Sequence, residues 1–209
     1  MPIPLLGYIH IASYFIPAAV ALRRYNRFTT SMRILAVLAF VSCTNIIILF
    51  VMARLKANNQ PLANIFVLLE FLLVGLIYFH SATSSRLRGF LLGCLFFFPF
   101  IWIVNRAFFD VPLQMNTEMA LLSRLFLILM SIFIVAQEQR DLSGRMIDKS
   151  VFWVATSVIL YSSGTFIVFG VGNLLLKTDV SQFVWAWHIN WSLIIISNLL
   201  YTKALFCRS

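Results

Sequence analysis

Residues 64–80 read NIFVLLEFLLVGLIYFH. The run is apolar at nearly every position and close to the length a helix needs to span a hydrocarbon core. A barrel strand would alternate apolar and polar residues; this run is continuous, so it reads as a membrane helix. Its exception is Glu70, a carboxylate in the interior. On insertion scales an acid at that depth costs roughly 2.5–3.5 kcal/mol. A cationic partner, a metal ion, a proton or water in a cavity must offset that cost.

Six further apolar stretches accompany it. The seven span about residues 3–22, 33–54, 62–80, 88–106, 117–137, 150–172 and 182–204. The expected fold is all-α, an integral membrane seven-helix bundle forming a single domain over residues 1–209. Composition agrees: 61% of residues are hydrophobic and 11% charged, where soluble domains are about half apolar and a quarter charged. Activity is therefore expected within the helices or their short loops. The first stretch has no basic segment ahead of it and carries its arginines after it, which predicts an uncleaved helix rather than a signal peptide.

The net charge is +9, but the basic residues fall mostly between apolar stretches and form no run of the kind that binds nucleic acid. One set of loops carries Arg23, Arg24, Arg27, Arg33, Arg86, Arg88, Arg140, Arg145, Lys149, Lys203 and Arg208. The other carries Arg54, Lys56, Arg106 and Lys177. The richer side is expected to be cytoplasmic, placing the N-terminus outside and the C-terminus inside. Pro17 and Pro99 should kink the first and fourth helices, and Gly164, Gly170 and Gly172 should loosen the sixth. Cys43, Cys94 and Cys207 form no pair suggesting a disulfide or CxxC site.

Counting along each helix at 1.5 Å per residue places Glu70 and His10 roughly 12 Å below the outer edge, Arg124 and His188 at about 10 Å, and Asn45 at about 13 Å. Five polar groups from five helices thus share one layer. Stripes of polar residues (His10, Ser13, Tyr14 and Pro17; Ser42 and Asn45; Tyr161, Ser162 and Thr165; His188, Ser192, Asn198 and Thr202) should face the bundle interior. The expected ligand-binding set is Glu70, Arg124, His188, His10, Asn45 and Tyr161. Glu70 has three candidate partners: the Arg124 guanidinium, a proton shared with His188 or His10, and a bound cation. The first need be no more than a structural clamp; the same groups would equally line a cavity open to the outside.

His10, Glu70 and His188 also match a two-histidine, one-carboxylate metal set, and the two histidines a bis-histidine haem. Neither rises to a convincing motif, and no metal, cofactor or catalytic residue is assigned. Seven-helix hydrolases of the hemolysin-III and ceramidase type need paired histidines on the last helix, and the seventh stretch holds only His188. Retinal proteins need a lysine in mid helix seven, and Lys203 lies at its end. SWEET-type carriers share the helix count, but there is no PQ dipeptide. Trp185, Trp187 and Trp191 read as an aromatic belt, with an aromatic pocket beside His188 as the alternative.

Several stretches together, NNQPLANIFVLLEFLLVGLIYF, FWVATSVILYSSGTFIVF and HINWSLIIISNLLYTKALFC, resemble an uncharacterised family of small heptahelical membrane proteins of Bacteroidota. The resemblance rests on Asn58 and Asn59, Glu70 and Phe71, Phe152 and Trp153, Tyr161, Ser163 and Gly164, His188, and Leu200, Tyr201 and Thr202, with Asn116 and Thr117 before helix five. It covers most of the chain. It implies a seven-helix fold, a bacterial inner membrane and a setting near sensor kinases, but no activity.

The expected function is that of a sensor. A small ligand or ion would bind in a polar cavity of the outer half, kinks at Pro17 and Pro99 would let the bundle repack, and the basic inner loops would signal to a membrane partner such as a sensor kinase. A small proton-coupled transporter is the first alternative, requiring polar groups to continue inward through Asn198, Tyr201 and Thr202. A metal- or haem-containing membrane enzyme is the second, and a structural assembly factor the third.

Overall fold

The computed structural model describes residues 4–108, 117–140, 145–178 and 180–207, with the backbone alone for 171–178 and 180–183. Pro112, Asn116 and Arg208 lie outside the described residues, as does the side chain of Lys177. The described secondary structure is entirely helical: α1 (Leu5–Ser13), α2 (Phe15–Arg24), a 3-10 turn (Tyr25–Arg27), α3 (Thr30–Arg54), α4 (Gln60–Ser81), α5 (Ser85–Phe108), α6 (Thr117–Arg140), a second 3-10 turn (Met146–Asp148), α7 (Ser150–Thr178) and α8 (Val180–Phe206). With α1 and α2 taken together, seven helices among the described residues are long and apolar enough to cross a membrane. The chain is a multi-pass membrane protein.

The seven expected stretches each fall on one span, with ends displaced by a few residues where helices continue past the apolar window. The largest displacement is α7, whose backbone remains helical to Thr178.

Proline shapes the first span. Pro17 has no N–H, so the Ser13 carbonyl loses its α-helical partner. The chain answers with a break at Tyr14, whose N–H turns back to the Ile11 carbonyl at 3.3 Å in a tighter turn. Pro99, by contrast, sits inside α5 without interrupting it. The start of α4 follows from its sequence: the Asn58 side chain accepts the Gln60 N–H at 3.0 Å, and Pro61 occupies the first turn, where a missing donor costs nothing.

The spans close into a ring in the order α1/α2, α3, α4, α6, α7, α8 and back to α1/α2. The fourth span, α5, stands outside the ring against α4 and α6. Its composition explains the position. It buries Leu91, Cys94, Leu95 and Phe98 on one side, and its other faces leave Phe96, Phe97, Phe100 and Ile103 exposed. It contributes no buried polar residue and has nothing to add to a polar centre.

Two glycines set close approaches. A Cβ on Gly75 of α4 would lie 2.6 Å from Leu95 Cδ2 of α5, and one on Gly164 of α7 would lie 1.9 Å from Leu193 Cδ1 of α8. Gly164 therefore does not loosen its helix as expected. It is a seat for a neighbouring leucine in an unbroken α7, the small-residue contact by which membrane helices gain packing. Nothing lies within 4 Å of a Cβ on Gly170.

The buried core runs through the ring and its α5 buttress, with Leu35, Phe71, Val74, Ile77, Tyr78, Leu91, Phe98, Leu127, Met130, Ile134 and Val154 fully enclosed. Phe71 and Phe98 join α4 to α5 at 4.3 Å between ring centroids. Serine and tyrosine hydroxyls add cross-helix links: Tyr78 to Ser131 at 2.7 Å, and Ser157 to Ser197. At the end of the bundle holding the α8 C-terminus, Arg24 donates to the Leu205 carbonyl at 2.8 Å and lies over the Phe206 ring, so a cation caps the negative end of that helix.

Candidate functional site

Glu70 sits ten residues into α4, and its face is fixed by the apolar residues around it. Val67, Phe71, Val74, Ile77 and Tyr78 are buried, and Glu70 is on the same inward side at 7% exposure. Arg124 of α6 is 2% exposed. Its Nη2 lies 2.7 Å from Glu70 Oε2. The approach is that of an ion pair. The same Nη2 donates to the Tyr161 hydroxyl at 3.2 Å, and the guanidinium carbon sits 4.6 Å from the Tyr161 ring centroid. Tyr161 thus holds the cation by its ring face and its oxygen at once. Three helices, α4, α6 and α7, are tied through this one guanidinium. Its Nε and Nη1 have no protein partner among the described residues.

Beside the pair is a cavity of about 30 Å³, lined by Tyr14, Ser42, Phe66, Glu70, Tyr161, Ile194, Ser197, Asn198 and Tyr201. It has room for roughly one or two water molecules. Its lining comes from the α1–α2 junction, α3, α4, α7 and α8, so with Arg124 of α6 every element of the ring takes part. The polar lining is oxygen-rich: one carboxylate, three phenols, two serines and an asparagine amide. Arg124 pairs with Glu70 but is not among the residues that line the cavity. Asn198 is fixed by donating through Nδ2 to Ser13 Oγ at 2.8 Å, and Ser13 in turn donates to the His10 carbonyl at 2.7 Å. The helix break at Tyr14 therefore lies next to the asparagine that borders the cavity.

Of the six expected site residues, Glu70, Arg124 and Tyr161 come together. The two histidines do not join them. His10 is buried, with its ring stacked on Trp191 at 6.0 Å and edge-on to Tyr14 at 5.4 Å. His188 packs against Trp191 at 5.4 Å and Trp185 at 5.8 Å. The histidines belong to an aromatic stack at the N-terminal part of α8, and no proton-sharing contact links either of them to Glu70 among the described residues. Nor do the described residues bring three His, Cys, Asp or Glu side chains to metal-binding distance, so the His10, Glu70, His188 triad is not assembled.

Asn45 is displaced as well. It lines a separate groove of about 270 Å³ between α3 and α4, with Phe40, Val41, Thr44, Ile48, Leu62, Ile65, Phe66 and Leu69. Ser42, three residues earlier, reaches the central cavity instead. Three residues on a helix differ by about 60° in direction, enough to put one side chain inside the ring and the next in the α3–α4 groove. Phe66 borders both spaces.

Tyr14, Phe66, Ser197 and Tyr201 are lining residues that the depth count did not single out. Tyr14 was within reach, since it follows His10 by four residues on one stripe. Tyr201 was marked by the family resemblance and as part of the inward polar path a carrier would need. Thr202, expected to extend the polar path, instead donates back to the Asn198 carbonyl of its own helix at 2.8 Å. Compared with known proteins, no family model, no curated protein and no solved structure matches the chain.

Proposed function

We propose that the protein is a sensor of the bacterial inner membrane, with its N-terminus outside and its C-terminus inside, in which a small ligand or ion at the Glu70 cavity alters the bundle and the change is read by a membrane partner. The reading rests on one observation: a buried carboxylate, already paired with Arg124, also lines a water-sized cavity bordered by every element of the ring except α6. Hard oxygen groups suit hard cations. With Arg124 not among the lining residues, the best-fitting occupant is a monovalent cation or a proton. An occupant that draws Glu70 toward the cavity weakens its hold on Arg124. That loosens the connection among α4, α6 and α7, and the Pro17 break at Tyr14 gives the first span a place to adjust. The excess of arginine and lysine at the end shared with the C-terminus supports the orientation.

A small proton-coupled carrier is the second reading. It is favoured by Asn198 and Tyr201 lining the same space as Glu70, which continues the polar surface along α8.

The test uses the purified protein in nanodiscs, titrated with sodium, with potassium and with acid, and followed by thermal unfolding and tryptophan fluorescence. A saturable response present in wild type and absent in Glu70→Gln supports the site. Identical titration curves for the two proteins would sink it. Proton or sodium flux in proteoliposomes that disappears in Glu70→Gln would favour the carrier over the sensor.

A further inference from the structure

A third space lies between α5 and α6, at the end of the bundle where α6 finishes and α5 begins. It is a groove of about 550 Å³ lined by Ser84, Arg86, Leu87, Phe90, Phe133, Ala136, Gln137 and Arg140. It exists because α5 stands outside the ring and meets α6 only sparingly. The lining divides by depth. Phe90 and Phe133 form its apolar inner part, packed edge to face at 5.1 Å yet 40% and 48% exposed. Arg86, in the first turn of α5, and Arg140, the last residue of α6, form its rim, and both are exposed.

Among the described residues, no carboxylate lines this groove. Of the two carboxylates adjacent in sequence to lining residues, Glu138 is buried and paired with Lys149 at 2.9 Å, and Asp141 lies outside the described residues. Gln137 is also committed: its Oε1 accepts the Thr83 and Ser84 N–H groups at 2.9 and 3.3 Å, fastening the α4–α5 connection to α6. The first turn of α5 has no acidic residue, although a helix N-terminus favours negative charge. The groove is therefore cationic at the level where headgroups lie and aromatic at the level where acyl chains lie.

We propose that this groove holds one anionic phospholipid of the surrounding bilayer, its phosphate between Arg86 and Arg140 and an acyl chain against Phe90 and Phe133. Charge complementarity selects the headgroup. The exposed aromatic floor, open to the membrane between two helices, selects a chain-bearing molecule over a free phosphate. Such a lipid would complete the sparse α5–α6 contact. This assignment is independent of the Glu70 site and of which side the groove faces.

The test reconstitutes the Phe133→Trp protein in nanodiscs containing phosphatidylcholine and phosphatidylglycerol, one of the two brominated in its acyl chains. Because Trp fluorescence is quenched by nearby bromine, the increment over the parent protein reports groove occupancy. The expected result is stronger quenching by brominated phosphatidylglycerol at equal mole fraction, with roughly five-fold enrichment per arginine. Arg86→Gln with Arg140→Gln should erase the preference, and Arg23→Gln with Arg27→Gln, at the same end of the bundle, should leave it. Equal quenching by both lipids overturns the proposal. So does a preference that survives in the Arg86/Arg140 variant or vanishes in the Arg23/Arg27 control.

Discussion

Replacing both members of the Glu70–Arg124 pair should be far less damaging than replacing either one. With side-chain exposures of 9% and 3%, the two charges are held 2.7 Å apart and out of water. Breaking a buried pair by removing one partner costs about 3–5 kcal/mol, because the survivor is left uncompensated. Arg124→Met strands a carboxylate beside the cavity and its hydroxyls. Glu70→Met strands a guanidinium that cannot lose its proton. The second loss should fall at the lower end of the range, since Tyr161 still offers its ring at 4.6 Å and its hydroxyl at 3.2 Å. An exposed cation–π contact alone is worth about 0.5–1 kcal/mol, and a desolvated one about 2. The double variant removes both charges and fills their space with side chains of similar volume, so it should lie within about 1 kcal/mol of wild type, or above it.

Taking about 3 kcal/mol for each single change and about 1 for the pair, the coupling is about 5 kcal/mol, beyond the 0.5–3 kcal/mol usual for contacting residues. Reversible unfolding of the four proteins in bicelles, read by steric trapping, measures it. If the double variant loses the sum of the single losses to within about 0.5 kcal/mol, the two charges do not compensate one another and the electrostatic reasoning fails.

Three further predictions follow from individual contacts. Gly164→Ala should destabilise the bundle by about 1 kcal/mol through overpacking, because its Cβ meets the tip of the Leu193 side chain and crowds its Cγ at 3.3 Å; thermal unfolding in detergent should show Leu193→Ala recovering part of that loss, and an unchanged unfolding temperature in Gly164→Ala is the contrary result. Lys56 follows α3 with a φ of 55°, its N–H on the Ala53 carbonyl and the Ala57 N–H on that of Met52, the double bond pattern of a helix end that favours glycine; Lys56→Gly should therefore stabilise by about 1 kcal/mol in the same assay. In native protein, maleimide should leave buried Cys43 and Cys94 untouched and label Cys207; because burial pushes the Cys207 thiol above its ordinary value, its labelling should lag a free thiol near neutral pH and catch up as pH rises, with the parent rate at neutral pH as the contrary result.

Depth along each span was legible in the sequence, and direction around it was not. The rise per residue is fixed, so counting from the ends of apolar runs placed Glu70 and Arg124 in one layer. The azimuth has no such ruler. In water an apolar stripe points inward, but lipid is as apolar as the bundle interior, so a membrane helix need not show one. Glu70 and Arg124 were exceptions, because a lone charge facing lipid is so costly that its direction is implied. Asn45 and the histidines carry weaker penalties, and they went elsewhere: Asn45 into the α3–α4 groove, His10 and His188 onto Trp191. The off-ring place of α5 was legible only in retrospect, from the absence of any buried polar residue in it.

Stability is a poor reason for the central pair to exist. Two apolar side chains of the same volume generally do as well or better in a buried site, since the charges must first give up their hydration. Arg124 compounds the cost by leaving Nε and Nη1 without protein partners at 2% exposure. A purely structural clamp would gain from satisfying those donors, and would gain more from closing the adjoining cavity with a larger side chain at Ser42 or Ser197. The chain does neither. It keeps a carboxylate, three phenols and an amide around a space the size of a water molecule or two, and it places the helix break of the first span at one of those phenols, Tyr14. A structural clamp and a binding site therefore make opposite predictions for Ser42→Leu. Filling the cavity should stabilise the clamp and leave any cation response intact. If the cavity is the site, the same change should abolish that response whether or not the unfolding temperature rises.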